Sequence, residues 1–359
     1  LRLITIRFVF FLPKKAKILI HGFGMDVIFK YVSSNDCEHF NSSEVINIPI
    51  AILSLFHINS LKWGRNYETL YINFVQPKLI LTCIDNNLNF YKLKKKNTNF
   101  KTIAIQNGQR CAVSDLFTQN NFLEKEKSNL EYKADYILCF NKSIGNLYSQ
   151  LIKAEIIPIG SFINNFVSFA QEIDSNKILF ISQFRLIENQ EKVMYFDNEN
   201  NPVLFDDFYK AESLILPYLS FFCKKNDYIL QICGCTLGAE QKQEKAFYDE
   251  RLKNSSWEFL PRNGKRLSYE HIGRANIIIN IDSTLGYEAL AQGKKVAFFS
   301  IRGSLMNEPS LNFNWPENQN EMYKAFLTNL ASDHEYDRIL NNLINMSESD
   351  WGNIVLQSR

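Results

Sequence analysis

The sequence predicts an α/β protein of two doubly wound domains that face one another across a cleft. Three observations carry this. Short β-branched runs alternate with helix-patterned segments along the chain, which is the βαβ signature of a parallel sheet. A length of 359 residues corresponds to about two domains. The composition, 46% hydrophobic and 22% charged, supports a buried core and excludes collagen-like, coiled-coil and disordered classes.

The elements follow in order. Ala16–Ile20 is a strand that runs into His21-Gly22-Phe23-Gly24, followed by a helical pattern through Tyr31. Lys78–Ile84 is a second buried strand; it ends in Asp85-Asn86-Asn87 and gives way to a basic helix near Asn89–Lys96. Lys101–Ile105 is a third, ending in Gln106-Asn107-Gly108-Gln109-Arg110, and Tyr136–Phe140 and Ala154–Gly160 continue the series. Periodicity fades around Asn164–Asn176, and a new strand starts in the run Lys177–Arg185. Beyond it come a long helix (Phe205–Lys224), a strand (Tyr228–Cys233), a helix (Glu240–Leu252), and strands Trp257–Leu260, Ala275–Ile281 and Lys295–Phe299. The predicted domains are therefore residues 1–168 and 169–335, with a C-terminal helix in 336–359 that packs back on the first domain. Doubly wound sheets bind ligands at the carboxyl ends of their strands, so the polar strand ends above are predicted to point into the cleft.

Forty basic and 38 acidic residues leave a net charge of +2, which argues against a dedicated nucleic-acid binder. Seven cysteines, an odd number without a C-x-x-C pair, fit a reducing, cytoplasmic compartment. Cys233-Gly234-Cys235 reads as a strand end rather than a redox or metal site, and the histidines show no ligand spacing, so no metal is expected. The first 17 residues hold five basic side chains and no acid around an apolar run too short to span a bilayer. Two readings stay open for this segment: a buried leading segment, or a basic amphipathic stretch that touches an anionic membrane.

The most informative stretch is Ile277–Val296, where a buried strand ends in Asp282-Ser283-Thr284 and a helix begins at once. Asp, Ser and Thr cap helix N-termini, and the amides and dipole of such a start favour phosphate. Gly286 in the first turn permits close approach, Glu288 one turn on could accept from ribose hydroxyls, and Gly293 suits the helix end.

The run Asp282–Val296 resembles the nucleotide-sugar segment of glycosyltransferases with the two-Rossmann, B-type architecture, most of all bacterial surface-carbohydrate (O-antigen) biosynthesis proteins. Ile178–Arg185, Leu79–Asn87, Ile103–Arg110, Ser268-Tyr269 and Gln243–Leu252 are similar too, so the resemblance spans roughly Lys17 to Phe299. The chain departs from it at Cys233-Gly234-Cys235, where a more basic segment is expected.

The resemblance implies transfer of a sugar from a nucleotide-activated donor to a lipid-linked or polysaccharide acceptor, in the cytoplasm at the inner membrane. It implies Ser283, Thr284 and Gly286 as phosphate contacts, with Asp282 beside them, and Glu288 as a ribose contact. Ser182, Gln183 and Arg185 would face the same phosphates, Arg185 offsetting charge on the leaving nucleotide, unless it is an ordinary surface charge. No D-x-D motif occurs, in keeping with a metal-independent enzyme whose only co-substrate is the nucleotide-sugar. In the first domain Asp85 follows an apolar strand and is the candidate base or nucleophile; the alternative is an Asx-turn. Gln106, Asn107, Gly108 and Arg110 are candidate sugar contacts, and His21 either lines the cleft or belongs to a structural loop. Two further functions stay open: a nucleotide-sugar epimerase of the same architecture, and a non-catalytic sugar-nucleotide-binding protein of the assembly pathway.

Overall fold

The computed structural model describes residues 6–22, 26–56, 63–95, 99–108, 110, 116–128, 131–167, 173–186, 193–196, 201–253, 255–264, 267–301, 326–328 and 330–357. The chain divides into two compact units, 1–108 with 115–166, and 109–114 with 167–359.

The first unit holds a six-stranded parallel sheet of β1 (Ile18–His21), β2 (Cys37–Phe40), β3 (Leu79–Thr82), β4 (Lys101–Ile105), β5 (Tyr132–Cys139) and β6 (Ile152–Pro158), in the order β2-β1-β3-β4-β5-β6. Helices α1 (Ile48–Phe56), α2 (Trp63–Val75), α3 (Gln119–Ser128) and α4 (Lys142–Leu151) accompany it. Ile80 and Leu19 pack with Tyr71, Val75, Tyr91 and Tyr148 on one side of the sheet, while Ile20, Leu81 and Ile105 pack with Val27, Ile28 and Phe162 on the other. Burial on both sides is why β1 and β3 are continuous aliphatic runs rather than alternating ones.

The second unit repeats the plan with β7 (Asp174–Ile181), β8 (Ile229–Cys233), β9 (Trp257–Leu260), β10 (Ala275–Asn280), β11 (Lys295–Phe299) and β12 (Leu327–Thr328), all parallel, in the order β9-β8-β7-β10-β11-β12. Counted within the unit this is 3-2-1-4-5-6, the Rossmann order. Its helices among the described residues are α5 (Phe205–Phe208), α6 (Lys210–Lys225), α7 (Glu240–Arg251), α8 (Leu267–Arg274), α9 (Thr284–Ala291), α10 (Asp333–Asn345) and α11 (Glu348–Gln357).

Three local expectations are corrected. The helical patterns near Tyr31 and Asn89–Lys96 are short 3-10 turns, Asp26–Lys30 and Phe90–Lys95. Edge strand β2 and helix α1 were not legible: β2 is short and half polar (Cys-Glu-His-Phe), and α1 is apolar on all sides, so neither shows a period. The C-terminal segment joins the second unit, not the first. Tyr336, Ile339, Leu340, Leu343, Trp351 and Ile354 are part of that unit's core, and Trp351 Nε1 donates to Gly293 O at 3.0 Å. Tyr218 on α6 donates to Asp337 at 2.5 Å and ties α10 to the same layer.

Candidate functional site

In a doubly wound sheet, loops diverge where the strand order reverses and leave a crevice at the carboxyl ends. In the second unit that point lies between neighbours β7 and β10, where Leu179 pairs with Ile278 and Phe180 with Ile279. The loops leaving these two strands are Ser182–Leu186 and Ile281–Ser283, so the topology brings the predicted donor residues of both runs to one edge.

Ser283 is the N-cap of α9, in extended backbone (φ −70°, ψ 136°), and its hydroxyl accepts from Leu285 N at a long 3.4 Å. The turn is held by Asn280, which is fully buried: its Oδ1 accepts from Ser283 N at 3.0 Å and its Nδ2 donates to Ser283 O at 3.2 Å. Asp282, Ser283 and Thr284 are all half-buried, partly open to solvent. Gly286 is required for a reason other than ligand approach: a Cβ there would lie 2.3 Å from Asn280 Cγ. Glu288 is 5% exposed and accepts from Tyr269 of α8 at 2.7 Å, so its carboxylate serves an α8–α9 contact, not an open ribose site.

On β7's loop the expectation divides. Ser182 is buried, and its hydroxyl donates to the Glu244 carboxylate while accepting from Tyr248 OH at 2.8 Å and Phe184 N at 3.2 Å. Glu244, fully buried on α7, also accepts from Cys235 N and Thr236 N, each at 2.9 Å, and from the Thr236 hydroxyl. Ser182 is therefore a clamp between β7, β8 and α7 and faces inward, which removes it from the predicted phosphate contacts. Gln183 and Arg185 do stand at the edge. Tyr209 OH donates to Gln183 O at 3.3 Å and accepts from Arg185 N at 2.6 Å, and the exposed Arg185 guanidinium lies 5.6 Å from the Phe208 ring. Arg262, missed in the sequence, stands just past β9 and donates to Cys235 O at 3.2 Å; the strand-end rule that found Asp85 would have found it.

Cys233-Gly234-Cys235 is a strand end, as read. Gly234 N donates to Leu260 O at 2.9 Å, and a Cβ on Gly234 would come within 2.8 Å of the Phe259 ring. Burial pushes both thiols up to about 12, and the Glu244 charge adds to the effect. Burial also lowers His271 on α8. Among the described residues no group of three or more His, Cys, Asp or Glu is placed to hold a metal ion.

In the first unit the order reverses between β1 and β3, which places His21-Gly22 beside Ile84-Asp85. The fit is close: Gly22 has φ +85°, and a Cβ on it would lie 2.6 Å from Ile84 Cδ1. Asp85 is not the open carboxylate predicted. It is fully buried, with Oδ2 accepting from Tyr148 OH at 2.5 Å and Oδ1 from Asn107 N at 3.1 Å, so it joins β3, β4 and α4. Gln106 is likewise a brace: it donates to Gly108 O at 2.8 Å and accepts from Phe140 N at 2.8 Å. The Asn107 side chain is exposed at this edge, and Gly108 is half-buried. Arg110 is 9% exposed and groups with the second unit, not with Gln106 and Asn107. His21 is also buried, between Phe40 and Phe90; its Nε2 is 2.8 Å from Glu68 Oε1, and its buried Nδ1 has no hydrogen-bond partner among the described residues. Phe23, Gly24, Gln109 and Cys111 lie outside the described residues.

Residues 103–358, more than half of the chain, match the family model described as "putative O-antigen biosynthesis protein". The chain belongs to this O-antigen biosynthesis family. No curated protein matches the sequence. Among solved structures, this family member is similar to the UDP-GlcNAc 2-epimerase of Methanocaldococcus jannaschii, with TM-score 0.50 and 10% identity over 92% of this chain and 93% of that one. It is also similar to the wall teichoic acid polymerase TagF (TM-score 0.49, 11% identity, 95% of this chain and 84% of that one). A third similar structure is the Glycosylation Associate Protein (Gap123) complex of Streptococcus agalactiae, with TM-score 0.45 and 13% identity over 84% of this chain. There the chain spans 56% of the matched chain's length. At such identities the likeness concerns the fold alone: two Rossmann-like six-stranded parallel sheets, as in that epimerase.

Proposed function

We propose that this O-antigen family member transfers a sugar from a nucleotide-activated donor to a lipid-linked or polysaccharide acceptor in surface-polysaccharide synthesis, on the cytoplasmic side of the inner membrane. One observation carries the reading most. At the reversal point of the second sheet, a strand ends directly in a Ser283-capped helix, beside the loop that bears Gln183 and Arg185. A helix start and a guanidinium borne by the neighbouring loop suit a diphosphate or monophosphate leaving group. Ser283, Thr284, Gln183 and Arg185 are the proposed donor contacts, with Asp282 at the rim. Arg185 offsets the charge that builds as the glycosidic bond to phosphate breaks, a task served by a metal in other enzymes, so turnover is expected to survive EDTA.

With Asp85 occupied, the acid–base role in the first unit passes to His21. The Glu68 carboxylate orients its ring and leaves Nδ1 as the proton-accepting atom; Nδ1 is buried in the free protein, so this role requires the bound acceptor to open the packing around the ring. Asn107 is the proposed sugar-reading amide.

The test is thermal stabilisation by UDP-, GDP-, CDP- and CMP-sugars, each added alone. At least one is expected to raise the melting temperature, and silence from all four would end the donor reading. The occupied state of Asp85 specifically favours a second reading, a non-catalytic sugar-nucleotide-binding protein. Donor binding with neither transfer nor hydrolysis would select it, and turnover without an acceptor would select an epimerase.

A further inference from the structure

Helix α1, Ile-Pro-Ile-Ala-Ile-Leu-Ser-Leu-Phe, has no charged residue, and its single hydroxyl, Ser54, is buried and donates to Ala51 O at 2.6 Å. Ile50 and Ser54 face the core, yet Ile52, Leu55 and Phe56 are 50%, 54% and 81% exposed. Their spacing places them on one stripe, so this helix turns an apolar stripe to solvent as well as to the core. A contiguous exposed apolar patch of that kind marks a contact surface.

A second apolar segment lies beside it. Residues Arg7–Val9 pair in parallel with Val45–Asn47, immediately before α1, and Asn47 Nδ2 donates to Phe11 O at 2.7 Å. This seats Phe10, Phe11 and Leu12, which are 69%, 82% and 52% exposed, near the start of the helix. Neither 6–17 nor 45–56 contains an acid, whereas Arg7, Lys14, Lys15 and Lys17 are all exposed. Lys17 pairs with Asp36 at 3.0 Å; Arg7, Lys14 and Lys15 have no ion pair among the described residues. Two acids adjoin: Glu44 at the Arg7 end, where Asn41 Nδ2 donates to its carboxylate at 3.2 Å, and Glu38, which lines one hollow with Arg7 and Lys14 and accepts from Tyr71 OH at 3.2 Å.

We propose that Phe10, Phe11 and Leu12, together with Ile52, Leu55 and Phe56 of α1, form one docking surface for an anionic lipid bilayer, with Arg7, Lys14 and Lys15 meeting the head groups. Charge selects this occupant over a second copy of the chain, because a two-fold contact through the same patch would bring like charges together. A bilayer with acidic head groups satisfies both features at once: the rings enter the acyl boundary and the cations stay at its surface. The inference does not depend on the donor reading, since it concerns binding alone.

The full chain is sedimented with vesicles of phosphatidylcholine alone and of phosphatidylcholine mixed with phosphatidylglycerol, at low salt. Partition is expected with the mixed vesicles, at least tenfold above the neutral ones. Phe11→Ser with Phe56→Ser should abolish it, and each of Lys14→Gln and Lys15→Gln should lower it about fivefold. All four side chains are exposed, and a melting curve for each variant confirms its fold. Absent partition, equal partition to both compositions, or undiminished binding by folded variants would overturn the proposal. So would a dimer in sedimentation velocity that Phe56→Ser converts to monomer, which would assign the patch to a second copy.

Discussion

A Cβ placed on Gly286 would stand 2.3 Å from Cγ and Nδ2 of Asn280 and 2.6 Å from its Cβ. Asn280 is fully buried and holds both the N–H and the carbonyl of Ser283, so it cannot swing aside without loosening the turn that starts α9. Gly286→Ala is expected to destabilise the protein by about 1–3 kcal/mol, the usual cost of forcing extra volume into a packed site. Denaturant titration measures this. The double variant with Asn280→Ala should recover part of the loss, and strict additivity would show that the two residues are not coupled.

Asp85→Ala removes the acceptor of Tyr148 OH and of Asn107 N and leaves both donors in the interior. A stability loss of about 2–4 kcal/mol is expected, with turnover per folded molecule retained. His21→Asn should do the reverse: transfer falls at least about 100-fold while donor affinity holds, and Glu68→Gln gives a smaller loss. Normal stability with abolished turnover in Asp85→Ala would return the base role to that residue.

Ser283→Ala combined with Thr284→Ala is expected to weaken donor binding about 100-fold or more, since two charge-assisted contacts of about 1.5–3 kcal/mol each are lost. The 3.4 Å cap bond to Leu285 N is long, so stability should fall by less than about 1 kcal/mol. Calorimetric titration with the stabilising nucleotide-sugar separates the two effects.

Asp135 supplies a pH test. Burial alone would raise its carboxyl, but bonds from Lys94, Thr102 N, Lys101 and the Thr102 hydroxyl outweigh it and hold the group at about 2. A carboxyl depressed on folding stabilises above its unfolded value near 3.9 and loses that contribution as pH falls through the folded value. Allowing for screening, the contribution is roughly 1–2 kcal/mol at neutral pH. Asp135→Asn should therefore lower the denaturant midpoint at pH 7, and the gap from the unaltered protein should narrow between about pH 4 and pH 2.

The amino-acid sequence by itself determined the strand runs and the helix start. Ile80–Thr82 and Ile277–Asn280 are buried on both sheet faces, so their aliphatic character is visible without any partner. The Ser283 cap is equally local, because its hydroxyl accepts from an amide two residues on. Which strand ends stay open was decided only by tertiary structure. Ser182 and Asp85 both follow apolar strands and look alike in sequence, yet each is captured by a group more than 60 residues away: Glu244 takes one, and Tyr148 the other. Gly286 invites a ligand-approach reading until the buried Asn280 beside it supplies another reason for a glycine. The apolar surface beside α1 likewise needs the pairing of Arg7–Val9 with Val45–Asn47, two segments far apart in the chain. Caps and buried strands are set by neighbours along the chain. The direction of a side chain at a strand end is set by whatever packs against it, and that is known only once the sheets have formed.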